Sequence, residues 1–132
     1  MIRLPIRPHH ALLAAALLAP VVAAADRPIP EATPVGKPQL CISRVAIANS
    51  VVRSDQVIDF VMRDRRVFRA TLARPCPDLG YQRGFSYATS LDRLCASDLI
   101  TVFYNSPGPQ GATCALAPFQ QVTLAGGWKA AR

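Results

Sequence analysis

The sequence predicts a mainly β fold: a small antiparallel barrel or sandwich of about five to seven short strands, with one short helical turn and paired cysteines. From Cys41 onward, apolar and polar residues alternate in short runs, which is the period of a half-buried strand. Turn-forming residues separate the runs, and no intervening segment is long enough for the crossover helix that parallel strands require. The chain has four cysteines, an even number that is typical of disulfide-bonded exported domains.

Residues 1–25 have the three parts of a secretory signal peptide. Arg3 and Arg7 supply the positive charge, residues 11–25 supply the apolar stretch, and its final three alanines supply the small side chains that a signal peptidase accepts. The apolar stretch contains Pro20 and is shorter than the roughly 20 residues that a membrane-spanning helix needs. We therefore expect cleavage after Ala25, no transmembrane segment after cleavage, and a location in the periplasm or outside the cell.

Cleavage would remove 25 of the 132 residues and leave 107, a length that suits one domain. It would also remove two arginines and so lower the formal net charge from +7 to +5. Both histidines of the sequence, His9 and His10, lie in the predicted signal peptide. Without an imidazole, the remaining chain lacks serine–histidine and cysteine–histidine nucleophiles and the commonest general base.

Residues 26–40 are predicted to form an extended linker, because they contain several prolines and no apolar periodicity. A disulfide-stapled β domain is then expected at residues 41–124. Its clearest element is a hairpin over residues 57–72, in which the polar turn 63–66 separates two alternating runs. The turn lacks glycine, so we expect a four-residue turn in which Asp64 bonds to the backbone.

The other strands are predicted from further alternating or dense apolar runs, at residues 41–47, 85–89, 99–104 and 114–124. Residues 90–96 are predicted as a short helix that begins with a serine cap at Ser90. Residues 105–111 are rich in proline and glycine and are predicted as a loop. Residues 125–132, which include two glycines, are predicted as a flexible tail.

Cys41, Cys76, Cys95 and Cys114 include no closely spaced pair of the kind that binds zinc, so we expect no metal site and no cofactor. Two disulfide bonds are expected instead, and several pairings are possible. The pairing Cys76–Cys95 with Cys41–Cys114 is favoured. Cys41 and Cys114 open the first and last predicted strands, which become neighbours when a barrel closes, and the other two cysteines bracket an irregular connection.

Several short motifs accompany the cysteines: Cys41-Ile42 at the start of a strand, Arg-Pro-Cys-Pro-Asp-Leu at 74–79, Phe-Ser-Tyr at 85–87, and Leu94-Cys95 followed by Asp-Leu-Ile-Thr-Val at 98–102. On these residues and Cys114, the chain resembles a group of small exported bacterial proteins of unknown function. The resemblance covers residues 41–122. It implies a location in the envelope and a β domain with paired cysteines, but no activity, ligand or catalytic residue.

A carboxylate-dependent hydrolase is the catalytic alternative, because glycoside hydrolysis needs only two suitably spaced acids. The candidate acids are Asp59, Asp64, Asp78, Asp92 and Asp98, and the pair considered is Asp59 with Asp98. Strand alternation places Asp59 opposite Ile58 and Phe60, on a face that we expect to be exposed to solvent. Asp98 precedes a strand, where an aspartate commonly bonds to the backbone of a turn. We therefore predict that the chain is not an enzyme.

Four arginines lie in or beside the hairpin turn: Arg63, Arg65, Arg66 and Arg69. A guanidinium group suits phosphate and carboxylate, so these residues are predicted to contact an anionic envelope component or an acidic protein. The alternatives are a solvated turn that discourages aggregation and a purely structural envelope component.

Tyr81, Arg83 and Tyr87 form a second candidate group, an aromatic shelf of the kind that stacks on a flat ligand. Nucleic acid is not an expected partner, because the sequence has only two lysines, Lys37 and Lys129, and no recognised reading motif.

Overall fold

The central element of the fold is the hairpin predicted for residues 57–72. The computed structural model describes residues 28–89, 91–104 and 111–131; the predicted signal peptide, Ser90 and most of the predicted loop 105–111 lie outside these ranges. Strands β4 (Val57–Met62) and β5 (Val67–Thr71) pair antiparallel, with Phe60 opposite Phe68. The predicted hairpin is therefore confirmed.

The other strands of the described residues also pair antiparallel, and most are short. They are β1 (Ala32–Pro34), β2 (Cys41–Ser43), β3 (Ile47–Val52), β6 (Phe85–Tyr87), β7 (Arg93–Cys95), β8 (Leu99–Val102), β9 (Thr113–Ala115) and β10 (Phe119–Leu124). One helical turn, α1, spans Leu79–Gln82, and 3₁₀ helices span Arg44–Ala46 and Trp128–Ala131. The mainly β class is thus confirmed. The strands are more numerous than expected, because three-residue strands carry too little alternation to be recognised in the sequence.

The strands form three sheets. The largest has five strands in the order β1-β10-β5-β4-β3, and the smaller ones have the orders β2-β7 and β6-β8-β9. Among the described residues, β1 and β3 are the edges of the large sheet, so this sheet is open and does not close into a barrel.

The main core lies between one face of the large sheet and the two small sheets. Strand alternation turns Ile58, Phe60 and Met62 to this face, as predicted, and all three are buried. Phe60 packs edge-to-face on Phe119 of β10, with ring centroids 5.5 Å apart. The small sheets contribute buried apolar residues to the same cluster, namely Ile42, Leu94, Ile100 and Val102.

The opposite face of the large sheet is covered by the two ends of the described chain. A second buried cluster, Val61, Val67, Val122 and Leu124, packs against Ala32 of β1 and against Trp128. The segments expected to be a linker and a tail therefore contain a strand and a 3₁₀ helix, and the ordered region begins before Cys41 and continues past Leu124. Pro34 is compatible with β1 because that strand lies at the edge of the sheet.

The structure has two disulfide bonds, as predicted, but the favoured pairing of Cys76 with Cys95 and of Cys41 with Cys114 is wrong. Cys41 is bonded to Cys95, and Cys76 is bonded to Cys114. Strands β2 and β7 pair with Cys41 directly opposite Cys95. The prediction assumed a closed barrel in which Cys114 lies on the last strand, next to the strand of Cys41. Cys114 lies instead on β9, which pairs with β8, and the last strand, β10, contains no cysteine. Two disulfide bonds indicate a protein of an oxidising compartment.

The short helix predicted at residues 90–96 is also wrong. Residues 93–95 form β7, because Leu94 is fully buried and pairs with Ile42 of β2. The helical turn lies instead at α1, just after Cys76. Within the described ranges, no helix is long and apolar enough to cross a membrane.

Candidate functional site

The turn between β4 and β5 has a well-defined backbone. The amide of Met62 donates to the carbonyl of Arg66 (2.8 Å), and the amide of Arg65 donates to the carbonyl of Met62 (2.9 Å). Asp64 Oδ1 accepts a hydrogen bond from the amide of Arg66 at 3.1 Å, which confirms the predicted role of Asp64. Arg65 has a φ of 72°, in the left-handed region that such turns use.

Three of the four predicted arginines lie on this turn with exposed side chains, and we call Arg63, Arg65 and Arg66 the arginine tip. Arg63 Nε donates to the carbonyl of Val45 at 3.1 Å, and the guanidinium of Arg65 lies 5.6 Å from the ring centre of Trp128. Both contacts orient the side chains without neutralising their charge.

Asp64 is the acidic residue of the arginine tip's own turn. Arg66 Nε donates to Asp64 Oδ2 at 2.7 Å, and both side chains are about half exposed. Hydrogen bonds from the backbone amide and the guanidinium of Arg66 lower the pKa of Asp64 below its usual value. With three guanidinium groups and one carboxylate, the turn keeps a local excess of positive charge.

Arg69, the fourth predicted arginine, lies away from the tip in a partly buried ion triad on β5. Its Nε and NH2 nitrogens donate to the two carboxylate oxygens of Asp59, at 2.7 and 2.9 Å. Arg53 Nε donates to Asp59 Oδ2 at 2.9 Å. Asp59 is 0% exposed, so the expectation that it faces solvent is wrong. Alternation places it opposite Ile58 as predicted, but that face is covered.

The ion triad also binds both ends of the described chain. Arg53 NH2 donates to the carbonyl of Ala130 at 2.7 Å, and Arg69 NH1 donates to the carbonyl of Pro30 at 3.1 Å. Arg69 therefore supports the covered face of the sheet and does not contribute to the exposed charge of the arginine tip.

A cleft of about 520 Å³ opens beside α1. We call it the α1 cleft; its lining residues are Ile29, Arg53, Ser54, Asp55, Asp78, Gly80, Tyr81 and Arg83. One wall is the turn between β3 and β4, and the other is α1 with its flanking residues. The cleft brings together Tyr81 and Arg83, two of the three residues of the predicted aromatic shelf. Tyr87 is not part of this group, since it packs beside Phe85 with ring centroids 6.3 Å apart.

The two walls of the α1 cleft are bonded to each other. Asp55 Oδ1 accepts a hydrogen bond from the amide of Gly80 at 2.7 Å, and the carbonyl of Asp55 accepts one from the amide of Cys76, also at 2.7 Å. A Cβ atom on Gly80 would lie 2.9 Å from the amide nitrogen of Asp55, so this close approach requires glycine. Sequence reasoning missed Arg53 and Asp55; Ser54-Asp55 between two apolar runs was the turn signal that marked this wall.

Asp78 and Arg83 flank α1, and both have left-handed backbones, with φ of 64° and 55°. Such conformations are uncommon for residues with side chains and persist where the surrounding structure fixes them. The hydroxyl of Tyr104 donates to Asp78 Oδ2 at 2.6 Å. This hydrogen bond to a carboxylate raises the pKa of Tyr104 above its usual value.

The two acids of the hydrolase alternative are not brought together. Asp98 Oδ2 accepts a hydrogen bond from the amide of Cys95 at 2.7 Å, the turn role expected for it. Asp98 lines a second cleft, of about 650 Å³, beside the three-stranded sheet. That sheet packs on the main core, whereas Asp59 lies on the opposite face of the large sheet. The two carboxylates are therefore separated by the sheet itself.

Among the described residues, no group of three or more histidine, cysteine, aspartate or glutamate side chains could hold a metal ion. Comparison of the chain with protein-family models, with curated proteins and with solved structures finds no match.

Proposed function

We propose that this chain is a non-catalytic exported protein of the bacterial envelope that binds an anionic partner through the arginine tip. The observation that carries the proposal is the placement of three exposed guanidinium groups on one four-residue turn with a fixed backbone. A rigid turn presents these groups at a lower entropic cost than a mobile segment would, which favours binding.

The contacts within the tip leave capacity for a ligand. Arg63 and Arg66 each use Nε for an internal hydrogen bond, so those bonds do not require the NH1 and NH2 donors that grip a phosphate or carboxylate in bidentate fashion. The Asp64–Arg66 pair is exposed, and exposed ion pairs contribute at most about 1 kcal/mol. An anionic partner can therefore replace Asp64 as the ion-pair partner of Arg66 at little cost in free energy.

Three further observations support the proposed location. The two disulfide bonds indicate an oxidising compartment, which includes the bacterial periplasm and the exterior of the cell. The cysteine motifs resemble those of small exported bacterial proteins, and residues 1–25 have the pattern of a signal peptide.

The test compares two double variants that lose the same charge at different places. Arg63→Gln with Arg66→Gln removes two tip charges, and Arg74→Gln with Arg93→Gln removes two exposed charges elsewhere. Arg65 is kept, because its left-handed backbone and its contact with Trp128 belong to the turn. Binding is measured by co-sedimentation with a bacterial envelope fraction at low salt, where screening is weak.

We expect the tip variant to bind about 30-fold more weakly, from roughly 1 kcal/mol for each charge near an anionic surface. The control variant should bind as the unmodified protein does. Equal loss in both variants would mean that only net charge matters, and no loss in either would remove the arginine tip as the contact.

A further inference from the structure

We propose that the α1 cleft is a second binding site, and that it takes a neutral saccharide with one pyranose ring stacked on Tyr81. This site is independent of the arginine tip, since the two share no residue. The volume of about 520 Å³ lies within the range of roughly 300–1,000 Å³ that small-molecule sites occupy.

The walls of the α1 cleft are preorganised. Arg53 is held by Asp59 and by the carbonyl of Ala130, at 2.9 and 2.7 Å. Asp55 is held by the amide of Gly80, and the disulfide bond of Cys76 fixes the start of the α1 segment. A ligand would therefore meet groups that are already in place, which lowers the entropic cost of binding.

The polar groups of the cleft retain both donor and acceptor capacity. In the described part of the chain, Asp55 and Asp78 each use one carboxylate oxygen for an internal hydrogen bond, and the other oxygen can accept another. Ser54 Oγ accepts from the amides of Gln56 and Val57, both at 3.2 Å, so its hydroxyl hydrogen is available to donate. The guanidinium of Arg83 adds further donors.

This mixture selects the class of ligand. A simple anion would face two carboxylates, and a simple cation would face Arg53 and Arg83. A hydroxyl group donates and accepts at once, so a ring with several hydroxyls can bond to both kinds of group without adding charge. Tyr81 is 85% exposed and offers a large, rigid aromatic surface at the cleft, and Ile29 adds an apolar patch. A pyranose ring has the hydroxyl edge and the apolar face that these residues match.

The test is amide shift mapping by NMR on the ¹⁵N-labelled, oxidised protein. The probes are cellobiose, N,N′-diacetylchitobiose and, as an anion control, inorganic phosphate. We expect at least one disaccharide to cause saturable shifts at Ser54, Asp55, Gly80 and Tyr81, with a dissociation constant on the order of 1 mM. The proposal would be overturned if neither disaccharide shifted these amides. It would also be overturned if phosphate shifted them to the same extent as the disaccharides.

Three variants separate stacking from other effects. Tyr81→Ala should weaken disaccharide binding about tenfold or more, whereas Tyr81→Phe should retain it, because the ring and not the hydroxyl provides the stacking surface. Leu91→Ala removes a comparably exposed apolar side chain elsewhere and should change nothing. Because Tyr81 is so exposed, the alanine variant should fold normally, which its amide spectrum will report. Unchanged binding in Tyr81→Ala would contradict the proposed site, whatever the arginine tip does.

Discussion

The stability of the covered face of the large sheet depends on Asp59. Its carboxylate is fully buried and accepts hydrogen bonds from Arg53 and Arg69, which in turn donate to Ala130 and Pro30. Two guanidinium groups share one carboxylate, so removal of that carboxylate would leave two positive charges with little access to water. Breaking a buried ion pair from one side costs more than the intact pair contributes to stability.

We predict that Asp59→Ala lowers the free energy of unfolding by about 3–5 kcal/mol, because it leaves Arg53 and Arg69 unpaired. Urea denaturation with both disulfide bonds intact measures this change. Asp92→Ala is the matched control, because Asp92 is exposed and its Oδ1 lies 3.7 Å from Arg44 NH2 in a surface ion pair. It should cost less than about 1 kcal/mol. A loss in Asp59→Ala no larger than in the control would contradict the assigned role.

For a single residue such as Asp59, the sequence predicts the face of the strand on which it lies, but not whether that face is buried. Alternation correctly separates Asp59 from Ile58 and Phe60. Whether its face meets water depends on residues 28–34 and 128–131, which are distant in sequence and look like a linker and a tail. The sequence groups Arg69 with the exposed arginines of the turn because they are close in the chain. Its partner, Asp59, lies on the neighbouring strand and is set by the register of the two strands.

At the scale of elements, the conformation of the segment around α1 is stabilised by contacts with the rest of the structure. A single helical turn is not stable by itself, because helix nucleation is unfavourable. The disulfide bond Cys76–Cys114, the bonds to Asp55 and the Tyr104–Asp78 hydrogen bond hold the segment on both sides. The hydrogen bond from Tyr104 also holds Asp78, one of the two left-handed residues that flank α1.

The Tyr104–Asp78 hydrogen bond predicts a specific dependence of stability on pH. Because the pKa of Tyr104 is raised in the folded state, this contact stabilises the protein fully below pH of about 10, and the stabilisation is lost as pH rises through the folded-state pKa. Phenolate absorbance should show a component that titrates above the usual tyrosine value. Tyr104→Phe should remove that component, and Asp78→Asn should move it to lower pH. A component that is unchanged in Asp78→Asn would contradict the assignment.

The hairpin and the cysteine pairing mark the limits of prediction for elements. The hairpin was predictable because β4 and β5 are adjacent in sequence and each has a full alternating run. The pairing of the cysteines was not, because it depends on which distant strands meet. Cys41 meets Cys95 because β2 pairs with β7, and Cys114 lies on β9, which pairs with β8 and not with β2.

At the scale of the whole molecule, one sheet serves two purposes. One face carries the main core under the small sheets, and the other carries the ion triad under the chain ends. This arrangement fixes the β4–β5 turn, which displays the arginine tip, and the β3–β4 turn, which forms a wall of the α1 cleft. The arginine tip was visible in the sequence as a local charge cluster. The α1 cleft was not, because its walls come from segments about 25 residues apart.

The central claim is that the arginine tip contacts an anionic partner, and arginine footprinting on the unmodified protein tests it most directly. Phenylglyoxal modifies accessible guanidinium groups, and mass spectrometry reports the modification of each arginine with and without a bacterial envelope fraction. We predict that the envelope fraction protects Arg63, Arg65 and Arg66, while the exposed Arg74 and Arg93 react equally in both conditions. Equal reaction of the three tip arginines with and without the envelope fraction would contradict the claim.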